Sequence, residues 1–492
     1  MRPRHAATLV LLALLGAWGG LAVWQSLKSL PQGLHVASPA CLTRDTETRF
    51  IADVTTADAF GRAAVSQGIL DAALEVVRGA HRFIVLDYAR FGADATASAP
   101  QRHSAAALTD ALLERRRSEP QLAVLLITDP VNERYGAAPS AELALLRAAG
   151  VEVVLADLGR LRDSNPLYSG LWRLTLGWWD PPGGPFGFEG RRLNFKADDR
   201  GVVIADDGRG GLAAVIGSAA PLESESGWSN VAARMNGAEL ETLIESELAV
   251  ARFSGWRGRA QAFTSAPPTA ETGAAAPAAT CPGGVAGAGP PESSARVQLL
   301  TEGAIREALL ARLESTQRGD SIEVAAFHLA ERSVIDSLLA AAQRGANIRL
   351  ILDPGTAGVE GGAAGIPNRP VASELVARSG GAIHVRWYRT HGERFHDALV
   401  MIESPATLWL ALGSAQLTRR SLDDYDLEAD AAIEVRRDSA LAEQALGYFD
   451  TLWSNRASLG IEYTAEFAVF ADPTQSDYWL GRLMEVTGLS DF

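Results

Sequence analysis

The chain has 492 residues, too many for one ordinary core, so roughly two to four domains are expected. Its formal net charge of −14 argues against a nucleic-acid-binding surface, because such surfaces need net basic patches to displace counterions. The composition is otherwise globular.

The N-terminus carries the first pattern. Arg2, Arg4 and His5 precede an uncharged run from Ala6 to Val23 that continues through Trp24 to Leu27, long enough at helical rise to cross a bilayer. Basic residues before the run, and only Lys28 soon after it, predict a cytoplasmic N-terminus and a single-pass protein of the inner membrane. The body then faces the periplasmic or extracellular side. A cleaved signal peptide is the rival reading, although no small-x-small site directly follows the run. Residues 1–28 are thus a membrane anchor or signal segment, and residues 29–49, polar with Pro and Gly, a spacer. Cys41 in that spacer and Cys281 are the two cysteines. In an oxidising compartment they can pair; otherwise they are two free thiols, and their spacing is not that of a metal site.

Ordered pattern begins near Phe50. Ile69, Leu70, Ala73, Leu74 and Val77 recur at helical spacing, and the chain from Arg82 to Tyr88 reads as an apolar strand. A helix is expected over 105–117, a strand from Leu122 ending at Asp129-Pro130, a helix over 140–149 stopped by Gly150, and a strand over 151–155. The second half repeats this order, with helices at 304–314, 333–344 and 372–378 and strands at 322–327, 348–352 and 383–388. Asp129 and Asp353, each followed by Pro, fall at equivalent places. Alternating strands and helices predict an α/β protein of two pseudo-symmetric lobes, 50–262 and 296–492, each a mixed sheet flanked by helices.

Between the lobes, 263–295 is dominated by Ala, Pro, Gly, Ser and Thr without apolar periodicity and reads as a flexible linker. The tail from Ala440 is helical and aromatic. Its Tyr448, Phe449, Trp453, Tyr478 and Trp479 are expected in the core. Trp172, Trp178 and Trp179 stand before a Pro/Gly run and suit burial between the lobes, a lipid interface or the wall of an acyl site.

Two stretches share one layout. The first runs Asp199-Arg-Gly201, Asp206, Gly-Ser218-Ala-Ala220 and Asn230, and the second His396-Asp-Ala398, Glu403, Gly-Ser414-Ala-Gln416 and Glu428. They resemble the paired His-x-Lys-x4-Asp and Gly-Ser-x-Asn signature of the phospholipase D superfamily, most of all its bacterial cardiolipin-synthase-type branch. The resemblance implies two phospholipase D-like lobes and a phosphohistidine mechanism without a cofactor or metal. It carries catalytic roles to His396, Asp206, Glu403 and Asp199, and phosphoryl-binding roles to Ser218, Ser414, Gln416, Asn230 and Glu428. Asp199 stands where the pattern has His, Gly201 and Ala398 where it has Lys, Glu403 where it has Asp, and Ala220 and Gln416 where it has Asn.

Those departures bear on the chemistry. Attack on a phosphodiester by His needs a neutral imidazole, a second proton carrier and cations for the developing charge. Each lost Lys removes a charge-assisted contact worth about 1.5–3 kcal/mol, and an ionised Asp199 would repel the phosphate. His328, after the strand at 322–327, is the candidate to supply the missing partner, and His391 is expected in solvent. Arg192, Lys196 and Arg200, or Arg419 and Arg420, are candidates to hold an anionic headgroup. The reading is a membrane-anchored pseudoenzyme that binds a phospholipid or other phosphodiester, or a protein partner. Its alternative is an active phosphodiesterase or phosphatidyltransferase using His396.

Overall fold

The computed structural model of the chain describes residues 3–57, 63–92, 103–175, 177, 196–264, 290, 293–355, 365–390, 393–455, 461–472, 474–490 and 492. Most of the expected linker lies outside them, as do Trp178, Trp179, Arg192, Cys281 and His391.

The opening apolar run is helix α1 (Pro3–Ser26), of which Ala7–Ser26 is long and apolar enough to cross a membrane. A short strand, β1 (Cys41–Arg44), follows. The first lobe contains β2 (Thr48–Asp53), the hairpin β3 (Thr55–Ala57) and β4 (Ala63–Val65), α2 (Gly68–Gly79), β5 (Phe83–Tyr88), α3 (Ser104–Ser118), β6 (Ala123–Thr128), α4 (Ala141–Ala148), β7 (Glu152–Leu155), α5 (Pro166–Leu174), β8 (Val202–Asp206), β9 (Leu212–Gly217), β10 (Asn230–Asn236) and α6 (Leu240–Phe253). The second contains β11 (Ser294–Thr301), α7 (Gly303–Glu314), β12 (Ser321–Ala326), α8 (Arg332–Arg344), β13 (Asn347–Leu352), α9 (Asn368–Arg378), β14 (Ile383–Tyr388), β15 (Ala398–Glu403), β16 (Thr407–Gly413), α10 (Arg419–Leu422), β17 (Ala429–Arg436), α11 (Ala440–Ser454), β18 (Thr464–Glu466) and α12 (Gln475–Thr487).

The periodicities behave as their physics requires. The five positions of α2 expected at helical spacing are all buried, together with Ala72 and Val76, and β5, buried at every residue, is the continuous apolar run of a strand covered on both faces. Gly345 closes α8 in the left-handed conformation at φ +92°. The sheets run β2-β10-β9-β8-β5-β6-β7 and β1-β11-β17-β16-β15-β12-β13-β14-β18. Seven strands correspond one for one, with β5-β6-β7 and β12-β13-β14 parallel and the rest antiparallel. The two sheets pack face to face: Ile204, Ile216 and Val231 of one share a core with Leu399, Leu410 and Ile433 of the other. Separate cores lie beneath the outer helices of each lobe.

Two expectations need correction. Residues 29–49 are not a free spacer, because β1 pairs with β11, Cys41 facing Val297, and the Ser38 hydroxyl accepts the amide of Leu299 at 2.9 Å. The segment covers a sheet edge that otherwise presents unpaired backbone groups. Cys41 is buried and disulfide-bonded. In the tail, Phe449 is buried as expected, but Trp479 is 65% exposed.

Candidate functional site

β8 and β15 occupy equivalent central places, and the residues leading into each lie against the opposite lobe. The amide of Asp199 donates to the Leu427 carbonyl at 2.9 Å, and that of His396 donates to the Ser229 carbonyl at 2.8 Å. Asp129 and Asp353 pin these lead-ins: Asp129 Oδ2 accepts the amide of Asp198 at 3.1 Å, and Asp353 Oδ2 that of Phe395 at 2.9 Å. The other oxygen of each caps its own turn, from Val131 and from Gly355. Burial pushes the two carboxyls up to about 7 and about 6. The lobes therefore meet along a seam with Asp199 facing Glu428 on one side and His396 facing Asn230 on the other.

On the His396 side, Nδ1 lies 3.1 Å from the Ser218 carbonyl oxygen and 3.2 Å from Asn230 Oδ1. Both are acceptors, so Nδ1 carries the proton and Nε2 is a free base. Burial, with the Arg394 guanidinium beside it, holds the imidazole far below its ordinary range, at about 3. Neutral Asn230 cannot stabilise an imidazolium as a carboxylate would. His396 thus keeps a nucleophile's protonation state but cannot carry a proton at neutral pH. The Ser218 hydroxyl is occupied: it donates to Asn230 Oδ1 at 3.0 Å and accepts the amide of Val231 at 3.2 Å.

The other side repeats the geometry with acids. The Ser414 hydroxyl donates to Glu428 Oε2 at 2.5 Å and accepts the amide of Ala429 at 3.1 Å. Burial first, then repulsion from Asp426, raises the Asp199 carboxyl to about 6. Burial and the charge of Asp199 push Glu428 well above the carboxylate range. This half-site therefore sets two buried carboxyls against each other, both shifted upward, and among the described residues no imidazole joins them.

Neither position expected to hold Lys could accept one unchanged. Gly201 sits at φ +58°, and a Cβ there would overlap the carbonyl oxygen of Gly217. Ala398 is buried in β15. Arg200 is not available for a headgroup: fully buried, it donates to Glu247 at 3.0 Å and to Glu302 at 2.7 Å. Lys196 is bound to Asp163 and to the carbonyls of Leu158 and Leu161, Arg419 to the Glu485 carbonyl, and Arg420 to Asp426.

Asp206 and Glu403 are not brought to the seam. They end β8 and β15, about 20 Å from Asp199 and His396 at strand rise. Asp206 collects the amides of His81, Arg82, Phe83 and Gly208, and Glu403 pairs with Arg437. Gln416 links the two strand ends, accepting the His328 amide and donating to the Asp397 carbonyl, each at 3.2 Å.

His328 lies near enough to His396 for its charge to bear on that imidazole. Its ring stacks on Phe327 at 3.9 Å between centroids, and Phe327 lies 5.2 Å from the His396 ring. Arg394 went unnoticed as a site residue. Its guanidinium lies 4.9 Å from the centre of the Trp228 ring and 5.5 Å from that of Phe327, and among the described residues it has no ion pair or side-chain hydrogen bond. A basic residue two positions before the motif His was the available signal.

Comparison with known proteins agrees with this architecture. Residues 309–453 match the family described as "Cardiolipin synthase, PLD-like domain". No curated protein matches the chain in sequence. Among solved structures, the phosphatidylserine synthase of Haemophilus influenzae Rd KW20 aligns with a TM-score of 0.57 at 11% identity, over 92% of this chain and 96% of that one. Nuc, a phospholipase D family member from Salmonella typhimurium, aligns over 32% of this chain and 95% of its own, at 22% identity and a TM-score of 0.25. Residues 309–453 thus match a phospholipase D-like domain of the cardiolipin-synthase type, and the two lobes together share the fold of that phosphatidylserine synthase.

Proposed function

We propose that the protein is a membrane-anchored phospholipase D-like pseudoenzyme that holds an anionic phosphodiester, a phospholipid by preference, at the seam between its lobes without cleaving it. The observation that carries this reading is the unequal pairing across the seam. His396 faces an amide and Asp199 faces a second acid, so where the family pattern has two imidazoles the two half-sites present one imidazole and a pair of carboxyls. The cations expected to spread charge on a pentavalent phosphorus are replaced by Gly201 and Ala398.

Binding has its own support. Arg394, held between two aromatic faces beside His396, is a cation preorganised for a phosphate oxygen. Anchoring is supported by α1, and a body outside the cytoplasm by the disulfide at Cys41. A protein partner remains an outcome of the binding test.

The test uses the purified full-length chain in detergent with phosphatidylglycerol, cardiolipin and a chromogenic phosphodiester. Saturable binding without turnover is expected. Turnover abolished by His396→Ala, or a phosphorus adduct trapped on His396, would overturn the pseudoenzyme. Absence of binding to any of the three would overturn the lipid reading.

A further inference from the structure

At one end of the molecule three helices turn their apolar side chains outward. In α12 the exposed side chains between 477 and 487 are Trp479, Leu480, Leu483 and Val486, at 65%, 41%, 59% and 66%. Over the same stretch no polar side chain is exposed: Asp477, Arg482 and Thr487 are partly buried, and Glu485 is buried and ion-paired with Arg482. For a helix in water this amphipathicity is inverted. In α5 the exposed positions are Leu167 and Leu171, one turn apart on one face. In α1 the residues from Leu9 to Leu15 stand clear of the body, as do Val23 and Trp24.

The three surfaces adjoin. After α12, the backbone of Gly488 comes so close to Ser164 and Asn165, the lead-in to α5, that a Cβ would not fit. Leu489, 55% exposed, follows it. Along α5, the Trp18 indole of α1 donates to the Leu167 carbonyl at 2.8 Å, and a Cβ on Gly170 would stand 3.1 Å from that ring. Ala22 and Gln25 of α1 are buried. The membrane-crossing helix therefore uses its second half to hold α5, while its first half leaves the body.

An apolar patch alone does not name its cover, but this one continues the surface of a helix with the length and composition of a bilayer span. We infer that α5 and α12 lie on the bilayer beside the anchor, with Leu167, Leu171, Trp479, Leu483 and Val486 inserted at the headgroup and upper acyl level. A Trp among aliphatic residues suits that depth. The patch also lies at the catalytic-motif end of the sheets. α5 follows the C-terminal end of β7, and α12 packs near Ala330 and Pro367, beyond β12 and β13 and close to His328. The end of the lobe seam that carries His396 thus lies toward the membrane surface. The inference rests on the anchoring part of the proposed function and not on the chemical state of His396.

The test places an environment-sensitive fluorophore on Leu483→Cys, Leu171→Cys and Arg318→Cys in the full-length chain. Arg318 precedes β12 and so marks the opposite end of the sheet. Each protein is reconstituted in phosphatidylethanolamine/phosphatidylglycerol vesicles containing spin-labelled lipid. Blue-shifted emission and several-fold stronger quenching at 483 and 171 than at 318 are expected. Vesicles that float with the protein while 483 and 171 quench no more than 318 would overturn the inference and leave the anchor standing. A blue shift without lipid quenching, growing with protein density, would assign the patch to a second copy and overturn it equally. Failure to co-float would remove the anchor itself.

Discussion

Nδ1 of His396 faces Oδ1 of Asn230 at 3.2 Å, and the same corner of the other half-site holds Glu428 against Asp199. The near-symmetry of the fold is kept while its charge is not. Asn230→Glu should place a carboxylate beside the imidazole and raise the His396 pKa from about 3 toward or above its ordinary 6.5. Proton-detected NMR of the ring across pH 4 to 8 checks it, and an unmoved titration would show that burial alone sets the value.

His396 also links stability to acid. Its folded pKa is depressed, so between about 3 and 6.5 the unfolded chain binds the extra proton and stability falls as pH drops through that window. His396→Asn should flatten the acid limb of a melting-temperature profile while leaving the value at pH 8 nearly unchanged.

Asp199 has the opposite sign. Its folded pKa, about 6, exceeds the unfolded value, so the folded chain binds the extra proton and stability falls as pH rises from about 4 through 6. Asp199→Asn should stabilise the protein at pH 8 by on the order of 1–2 kcal/mol and change little at pH 4. Urea unfolding at the two pH values separates these outcomes.

Arg200 is wholly enclosed by Glu247 and Glu302. Arg200→Met leaves both acids uncompensated and should cost about 3–5 kcal/mol. The expected signature is a lower urea midpoint with an unchanged slope. A loss under 1 kcal/mol would mean the acids simply take up protons.

Arg394→Gln should weaken binding of phosphatidylglycerol roughly ten-fold or more, as expected for one charge-assisted contact of about 1.5–3 kcal/mol. Folding should be undisturbed, because among the described residues Arg394 has no ion pair to break. Titration calorimetry beside a melting curve reads both.

Gly201 explains why the first half-site does not return by restoring its motif. Position 201 reads in sequence as a simple loss of Lys. Its positive φ and its contact with the Gly217 carbonyl make the backbone itself incompatible with a side chain. Arg200 makes the same point from the other direction. One residue from Asp199, it reads as a candidate headgroup ligand, yet its side chain turns into the core, and sequence adjacency does not say which face of a strand a residue takes when its lead-in is irregular.

Periodicity, turn residues and the repeated Asp-Pro strand ends were enough to establish an α/β protein of two equivalent lobes, because local apolar spacing follows directly from the 3.6- and 2-residue repeats of helix and strand. The paired Gly-Ser stretches lie where the two lobes meet. Which groups face one another there was decided only by tertiary packing, since His396 meets Asn230 and Asp199 meets Glu428 across the lobe boundary, more than 160 residues apart in sequence. So too were the docking of residues 29–49 on a sheet edge and the outward turn of Trp479. Burial and long-range pairing are properties of the assembled surface, and no local repeat encodes them.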